Sequence, residues 1–173
     1  EAMDSYPYPL ARIGIIGGGQ LGRMMVKAAK RLGCTCVVLD PTPNSPAGQV
    51  AGHQIVGDSH DPAKLRELVE TTDVSTFNIE DIDSETLIEL EREGRRIHPS
   101  PKVLAVIQDK LTQKRLMRDA GIPTADFAEV EGDLEKAFVD FGYPLVQKAR
   151  RGGYDGRGVA VMKTPDDFPR HLP

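Results

Sequence analysis

The stretch from Arg12 to Leu32, RIGIIGGGQLGRMMVKAAKRL, constrains the fold more than any other part of this chain. A short apolar run rich in β-branched residues ends in three glycines. It passes at once into helical spacing through Leu21, Met25, Ala28 and Leu32, which predicts strand, tight turn and helix. Further strands are predicted at CTCVVLD, HQIVG and DVSTFN, and DPAKLRELVE reads as a helix capped by Asp61 with Pro62 at its first position. Strands alternating with helices pair in parallel through right-handed crossovers, so the first half is expected to be a parallel-sheet α/β domain.

The second half reads differently. A helix is predicted from about Ser84 to Glu93, and after RIHPS the pair Ser100 and Pro101 opens one continuous helix as far as Ala120. GIPTADF then breaks the pattern. DLEKAFVDF has helical spacing, YPLVQKA and VAVMK read as strands, and a glycine-rich run joins those strands. A domain boundary is expected within residues 106 to 121, dividing the chain into 12–105 and 106–173. TPDDFPRHLP reads as a helix barely begun, so the second domain is expected to be incomplete. The opening EAMDSYPYPLAR carries two prolines and no initiating Met, and is expected to be a mobile arm or a cloning remnant.

Composition removes several classes of function. A net charge of −4 with 5% aromatic residues supplies neither the electrostatic footprint nor the stacking surface of a general nucleic-acid binder. No apolar run is long enough to span a bilayer, and the first residues lack the pattern of a signal peptide, so a cytoplasmic protein with no membrane partner is expected. Cys34 and Cys36 stand one residue apart, which suits neither a zinc knuckle nor a thioredoxin-like pair; both are expected to fill a strand. His53, His60, His98 and His171 show no ligand spacing, and EDIDSE lacks the alternating donors and central glycine of a calcium loop. No metal ligand is therefore assigned.

Two glycine loops carry the chemistry. Gly17, Gly19 and Gly22 fit G-x-G-x-x-G between a strand and a helix, where backbone N–H groups and a helix N-terminus hold phosphate. Asp40 at the end of the next strand stands about where a dinucleotide enzyme holds the ribose. A nicotinamide-binding module, a smaller phosphate binder and a purely structural turn all remain open. The proline-rich PTPNSPAGQVAG directly after Asp40 is an unusual neighbour for an adenosine pocket, and Gln20 and Leu21 suit a phosphate monoester. Arg23 adds charge there or lies on a solvated helix face. In the second loop, Lys148 ends a strand and Gly152, Gly153, Gly156 and Gly158 follow it, a lysine and a glycine hairpin suited to phosphate oxygens. No G-K-[S/T] follows, so it is not a Walker loop.

Read together, GIIGGGQLGRMM, DVSTFNIEDID, QDKLTQKRLMRDAGIPTA and GYPLVQKARRGGYDGRGVAV resemble the 5-(carboxyamino)imidazole ribonucleotide synthase family of ATP-grasp enzymes. The resemblance runs from about Arg12 to Lys163. It implies a Rossmann-like pre-ATP-grasp domain that binds a ribonucleotide, followed by the start of an ATP-grasp α+β domain. The activity implied is ATP- and bicarbonate-dependent carboxylation of aminoimidazole ribonucleotide through carboxyphosphate, in a homodimer of purine biosynthesis. A related ATP-grasp ligase, the formate-dependent glycinamide ribonucleotide transformylase, typically has a serine-rich loop in place of Tyr154 and Asp155.

By resemblance, Gly19, Gln20 and Leu21 hold the ribonucleotide 5′-phosphate, with Glu80 and Tyr154 also on that substrate. Lys110, Lys148, Gly153 and Gly156 contact ATP. Asp155 orients or deprotonates the attacking amine, and Arg157 neutralises anionic oxygens. Asn78 stands where many relatives have another glutamate, and Lys110 where they often have arginine. The magnesium-binding carboxylates fall after residue 173, so a chain of this length is expected to be inactive alone.

Overall fold

A computed structural model of the chain describes residues 10–153 and 156–170. Tyr154, Asp155, His171 and most of the predicted N-terminal arm lie outside them. The chain divides into two compact units, Glu1–Ala105 and Val106–Pro173.

In the first unit the elements run β1 (Arg12–Ile16), α1 (Gln20–Arg31), β2 (Thr35–Asp40), α2 (Gly48–Ala51), β3 (Gly52–Val56), α3 (Pro62–Glu70), β4 (Val74–Phe77) and α4 (Ser84–Arg92). The strands form one parallel sheet ordered β3-β2-β1-β4. Both faces are covered, as a parallel sheet requires. Val37 and Leu39 join Leu65, Leu68, Leu87 and Leu90 of α3 and α4 on one side. Cys36 and Val38, of opposite parity along β2, join Val26 and Ala29 of α1 and Ala51 of α2 on the other. Leu68 is fully buried. Leu68→Ala is expected to destabilise this unit by about 2–5 kcal/mol, read as a lower midpoint in urea unfolding.

The cap predicted at Asp61 is present, and α4 has a similar one that the sequence reading did not name. Asp61 accepts from the N–H groups of Ala63 and Lys64 at the start of α3, and Asp83 accepts from Glu85 and Thr86 at the start of α4. Two expectations need correction. The helical spacing places a helix at α1 but the wrong face inward: Leu21 and Leu32 are exposed, while Gly22, Val26 and Ala29 are buried. The proline-rich segment contains a short helix, α2, that its composition hides. Cys36 lies inside β2, whereas Cys34 precedes it.

The second unit begins within α5 (Pro101–Gln108) and continues with α6 (Lys110–Asp119), α7 (Leu134–Phe141), β5 (Leu145–Lys148), β6 (Val159–Met162) and a 3-10 turn at Pro165–Arg170. The single helix expected from Pro101 to Ala120 is two helices. Asp109 leaves helical geometry at φ −106°, ψ 98° and its side chain caps α6 by accepting from the N–H groups of Leu111 and Thr112. Strands β5 and β6 are antiparallel, with Lys148 opposite Val159. One face of this pair packs Leu145, Ala160 and Met162 against Phe138 of α7, with Phe168 edge-on to Phe138 at 5.5 Å. Among the described residues no helix is long and apolar enough to cross a membrane.

Candidate functional site

Strand order fixes the first site. The chain runs from β1 outward to β2 and β3, then returns to place β4 on the other side of β1. The carboxyl ends of β1 and β4 therefore form the switch point of the sheet, where ligands of open α/β folds bind. Gly17–Gly19 follow β1 there and Asn78–Glu80 follow β4.

Each glycine of the turn has a different job. Gly17 has φ +103°, and an added Cβ would lie 2.7 Å from the Asn78 side chain. Asn78 Nδ2 donates to the Gly17 carbonyl at 2.8 Å, so this amide ties the two loops together. Gly18 is enclosed by Asp40 and Ser45. Its N–H donates to Asp40 Oδ2 at 2.8 Å, and its carbonyl accepts from the Ala47 N–H at 2.8 Å. Asp40 Oδ1 accepts from the Thr42 N–H, so both carboxylate oxygens serve the local backbone. That use disfavours a ribose-binding role for Asp40 and with it the nicotinamide alternative.

Gly19 is the open position. It is exposed, with nothing within 4 Å of an added Cβ, and it stands at the N-cap of α1 without a side-chain cap. The first bond of the helix runs from Arg23 N–H to the Gly19 carbonyl, leaving the amides of Gly19, Gln20 and Leu21 ahead of the hydrogen-bond ladder. Gln20 and Leu21 are exposed as well. No carboxylate occupies the first turn of α1, and the nearby Asp40 carboxylate is bonded to the Gly18 N–H instead. Arg23 reaches Gln49 Oε1 at 3.3 Å. Glu80 is exposed, two residues beyond Asn78.

The second group of candidates surrounds the glycine loop between β5 and β6. Lys148 is exposed at the end of β5. The base of the loop is closed by the Ala149 N–H donating to the Gly158 carbonyl at 2.7 Å. Gly152, Gly156 and Gly158 all have positive φ, which explains the density of glycine. A Cβ on Gly153 would lie 2.6 Å from the Arg157 carbonyl. Lys110 Nζ donates to the Gly153 carbonyl at 2.7 Å, which brings three of the expected nucleotide contacts, Lys110, Gly153 and Gly156, to one loop. Arg157 is exposed on its far arm.

Sequence reasoning missed the partner of this loop. Asp109, 2% exposed, accepts from Arg150 Nε at 2.9 and 3.0 Å and from Arg151 Nη2 at 3.0 Å. Arg150 also donates to Glu129, which accepts from Arg115. The signal was present in QDK, since an aspartate inside an apparent helix is a cap in the wrong place. The Arg150 hydrogen bond holds the Asp109 carboxyl well below the usual carboxylate range, against the opposing effect of burial.

With the folded-state pKa below the unfolded value of about 3.9, ionised Asp109 stabilises the fold above roughly pH 4, and that contribution disappears as pH falls toward the folded value. Wild type is therefore expected to melt above Asp109→Asn at neutral pH, with the gap shrinking by about pH 3. Melting curves at pH 7, 5 and 3 check this, and a gap of equal size at all three contradicts it.

Residues 10–108 match the family model of the ribonucleotide synthetase pre-ATP-grasp domain. The chain belongs to the ribonucleotide synthetase pre-ATP-grasp family. Behind this pre-ATP-grasp domain, residues 115–172 match the ATP-grasp domain. N5-carboxyaminoimidazole ribonucleotide synthase of Staphylococcus haemolyticus is 39% identical over 158 residues, covering 90% of this chain and 42% of that protein. The chain thus spans well under half the length of the curated relatives it matches, about two-fifths for the bacterial synthases. The crystal structure of N5-carboxyaminoimidazole ribonucleotide synthetase from Thermotoga maritima is similar with a TM-score of 0.86 and 47% identity, over 94% of this chain and 44% of that one. The enzyme of Aspergillus clavatus, solved with ADP and 5-aminoimidazole ribonucleotide, is similar with a TM-score of 0.82 and 36% identity, over 92% of this chain and 42% of that one. The pre-ATP-grasp domain coincides with the unit that carries the open turn at Gly19.

Proposed function

We propose that the chain supplies the ribonucleotide-binding domain and the first part of the ATP-grasp domain of an enzyme that carboxylates aminoimidazole ribonucleotide using ATP and bicarbonate. The observation that carries this reading is the similarity over nine-tenths of the chain to a structure containing ADP and 5-aminoimidazole ribonucleotide. The open amides at Gly19, Gln20 and Leu21 suit the 5′-phosphate, because a helix N-terminus presents donors and a positive field to an anion. Glu80 and Tyr154 complete the ribonucleotide contacts. Lys148, Lys110 and the amides of Gly153 and Gly156 take the ATP phosphates.

In this reaction a bicarbonate oxygen bonds to the γ-phosphorus as ADP leaves, giving carboxyphosphate. The exocyclic amine then gains the carboxyl group and phosphate departs. Asp155 orients the amine and receives its proton, and Arg157 offsets the negative charge on the oxygens. Carboxyphosphate hydrolyses readily, so exclusion of water is part of the task of the glycine loop. Magnesium belongs to the same reading. Among the described residues no group of three or more His, Cys, Asp or Glu could hold a metal ion, so none is assigned to it. A cytoplasmic homodimer is the working state.

The test is ADP release by a chain carrying the complete ATP-grasp domain. Release should require both aminoimidazole ribonucleotide and bicarbonate. Support by formate with glycinamide ribonucleotide instead would assign the chain to the related transformylase.

A further inference from the structure

We infer that Asp109 is a positioning residue, whose buried carboxylate fixes the near arm of the glycine loop, residues 150 to 153, to the start of α6 so that Lys110 and the loop backbone are presented together. The inference rests on the nucleotide-binding role proposed for this loop, but its first test does not.

Three independent ties join the same two segments. The Asp109 carboxylate receives Arg150 through both oxygens and Arg151 through Oδ2. The Lys110 backbone N–H donates to the Arg150 carbonyl at 3.0 Å. The Lys110 ammonium donates to the Gly153 carbonyl at 2.7 Å. Asp109 also caps α6, so one carboxylate sets both the first turn of the helix and the path of the loop. Its side chain is 3% exposed whereas those of Arg150 and Arg151 are 51% and 66% exposed, which makes the acid the fixed point and the arginines the tethered ends. Glycine at 152, with φ +73°, leaves the arm little stiffness of its own. A loop of that composition needs an external anchor if its amides are to meet phosphates without a large ordering cost on binding. Asp109, Glu129 and Glu131 offset Arg115, Arg150 and Arg151, so the cluster is balanced in charge and Lys110 adjoins it.

Asp109→Asn separates the two duties. The amide oxygen still caps α6, but the charge is gone and its NH2 group opposes a guanidinium. In the 173-residue chain, trypsin cleavage after Arg151 is expected to accelerate at least about tenfold more in Asp109→Asn than hydrogen exchange in α6 does, the latter reporting the general loss of stability. Should that variant lose α6 as well, the double variant Arg150→Gln with Arg151→Gln removes the tie from the loop side alone, and exchange of the Gly152 and Gly153 amides replaces trypsin as the readout. It should accelerate by the same factor. Unchanged cleavage in the first variant, or unchanged exchange in the second, overturns the inference.

The second readout uses a chain with the complete ATP-grasp domain, in which Asp109→Asn should raise KM for ATP about tenfold or more with KM for the ribonucleotide unchanged. Equal effects on both substrates would mark Asp109 as merely structural and overturn its positioning role. If the wild-type chain shows no ATP-dependent turnover, the proposed function fails while the loop-anchoring result stands on the proteolysis and exchange data.

Discussion

Replacing Lys148 with Ala, in a chain that carries the complete ATP-grasp domain, is expected to lower kcat/KM for ATP by about 100- to 1,000-fold. The same substitution should change the stability of the domain by less than about 0.5 kcal/mol, because it removes an exposed side chain from a strand end. The asymmetry follows from the position of Lys148. It stands at the end of β5, on the face opposite the one that Leu145 buries, with the glycine loop starting at the next residue. An exposed ammonium in that position contributes little to packing, so under the proposed role its effect should appear only when phosphate oxygens arrive. Steady-state kinetics with ATP as the varied substrate, together with a thermal melt, checks both halves. A fall in stability matching the fall in activity would assign Lys148 to the fold instead.

Gly22→Ala and Gly19→Ala should give opposite outcomes. A Cβ on Gly22 would sit 2.2 Å from the Gly17 carbonyl oxygen and 3.3 Å from Ala47. Neither the backbone of the turn nor the start of α1 can yield without losing the hydrogen bonds that hold Gly17 and Gly18, so the cost is expected to be about 3 kcal/mol or more. Urea unfolding of the pre-ATP-grasp unit measures it. A Cβ on Gly19 meets nothing, at φ −71°, and should leave folding unchanged within about 0.5 kcal/mol. If the 5′-phosphate packs against this turn as proposed, the added methyl competes with it for the open space, and ribonucleotide affinity should fall at least about tenfold, some 1.4 kcal/mol. If Gly19→Ala binds as wild type does, the open turn is not the phosphate site.

These contrasts show what a sequence of this kind discloses. The parallel sheet was legible because buried strands such as CTCVVLD are continuous apolar runs, and the cap at Asp61 was legible because a short acid before a helix has one common use. The inward face of α1 was not. Leu21 and Met25 dominate any hydrophobic count, yet close approach to the Gly17 carbonyl selects Gly22 for the interior and leaves Leu21 exposed. The break at Asp109 left a local trace in QDK, but its ties to Arg150 and Arg151 did not, because those partners lie 41 and 42 residues away and no local pattern reports a partner at that distance. Asn78 illustrates the same limit within the candidate site. As a substituted position it looked like a weakened ribonucleotide contact, whereas its side chain holds the carbonyl of Gly17. Motifs marked the loops, and tertiary hydrogen bonds decided what each loop residue does.

The most direct measurement is the response of the backbone amide resonances of the 173-residue chain to aminoimidazole ribonucleotide. Saturable shifts concentrated at Gly19, Gln20 and Leu21, absent in Gly19→Ala and not reproduced by NADH, are the predicted result. Shifts that leave those three amides unmoved, or that NADH produces equally well, would contradict it.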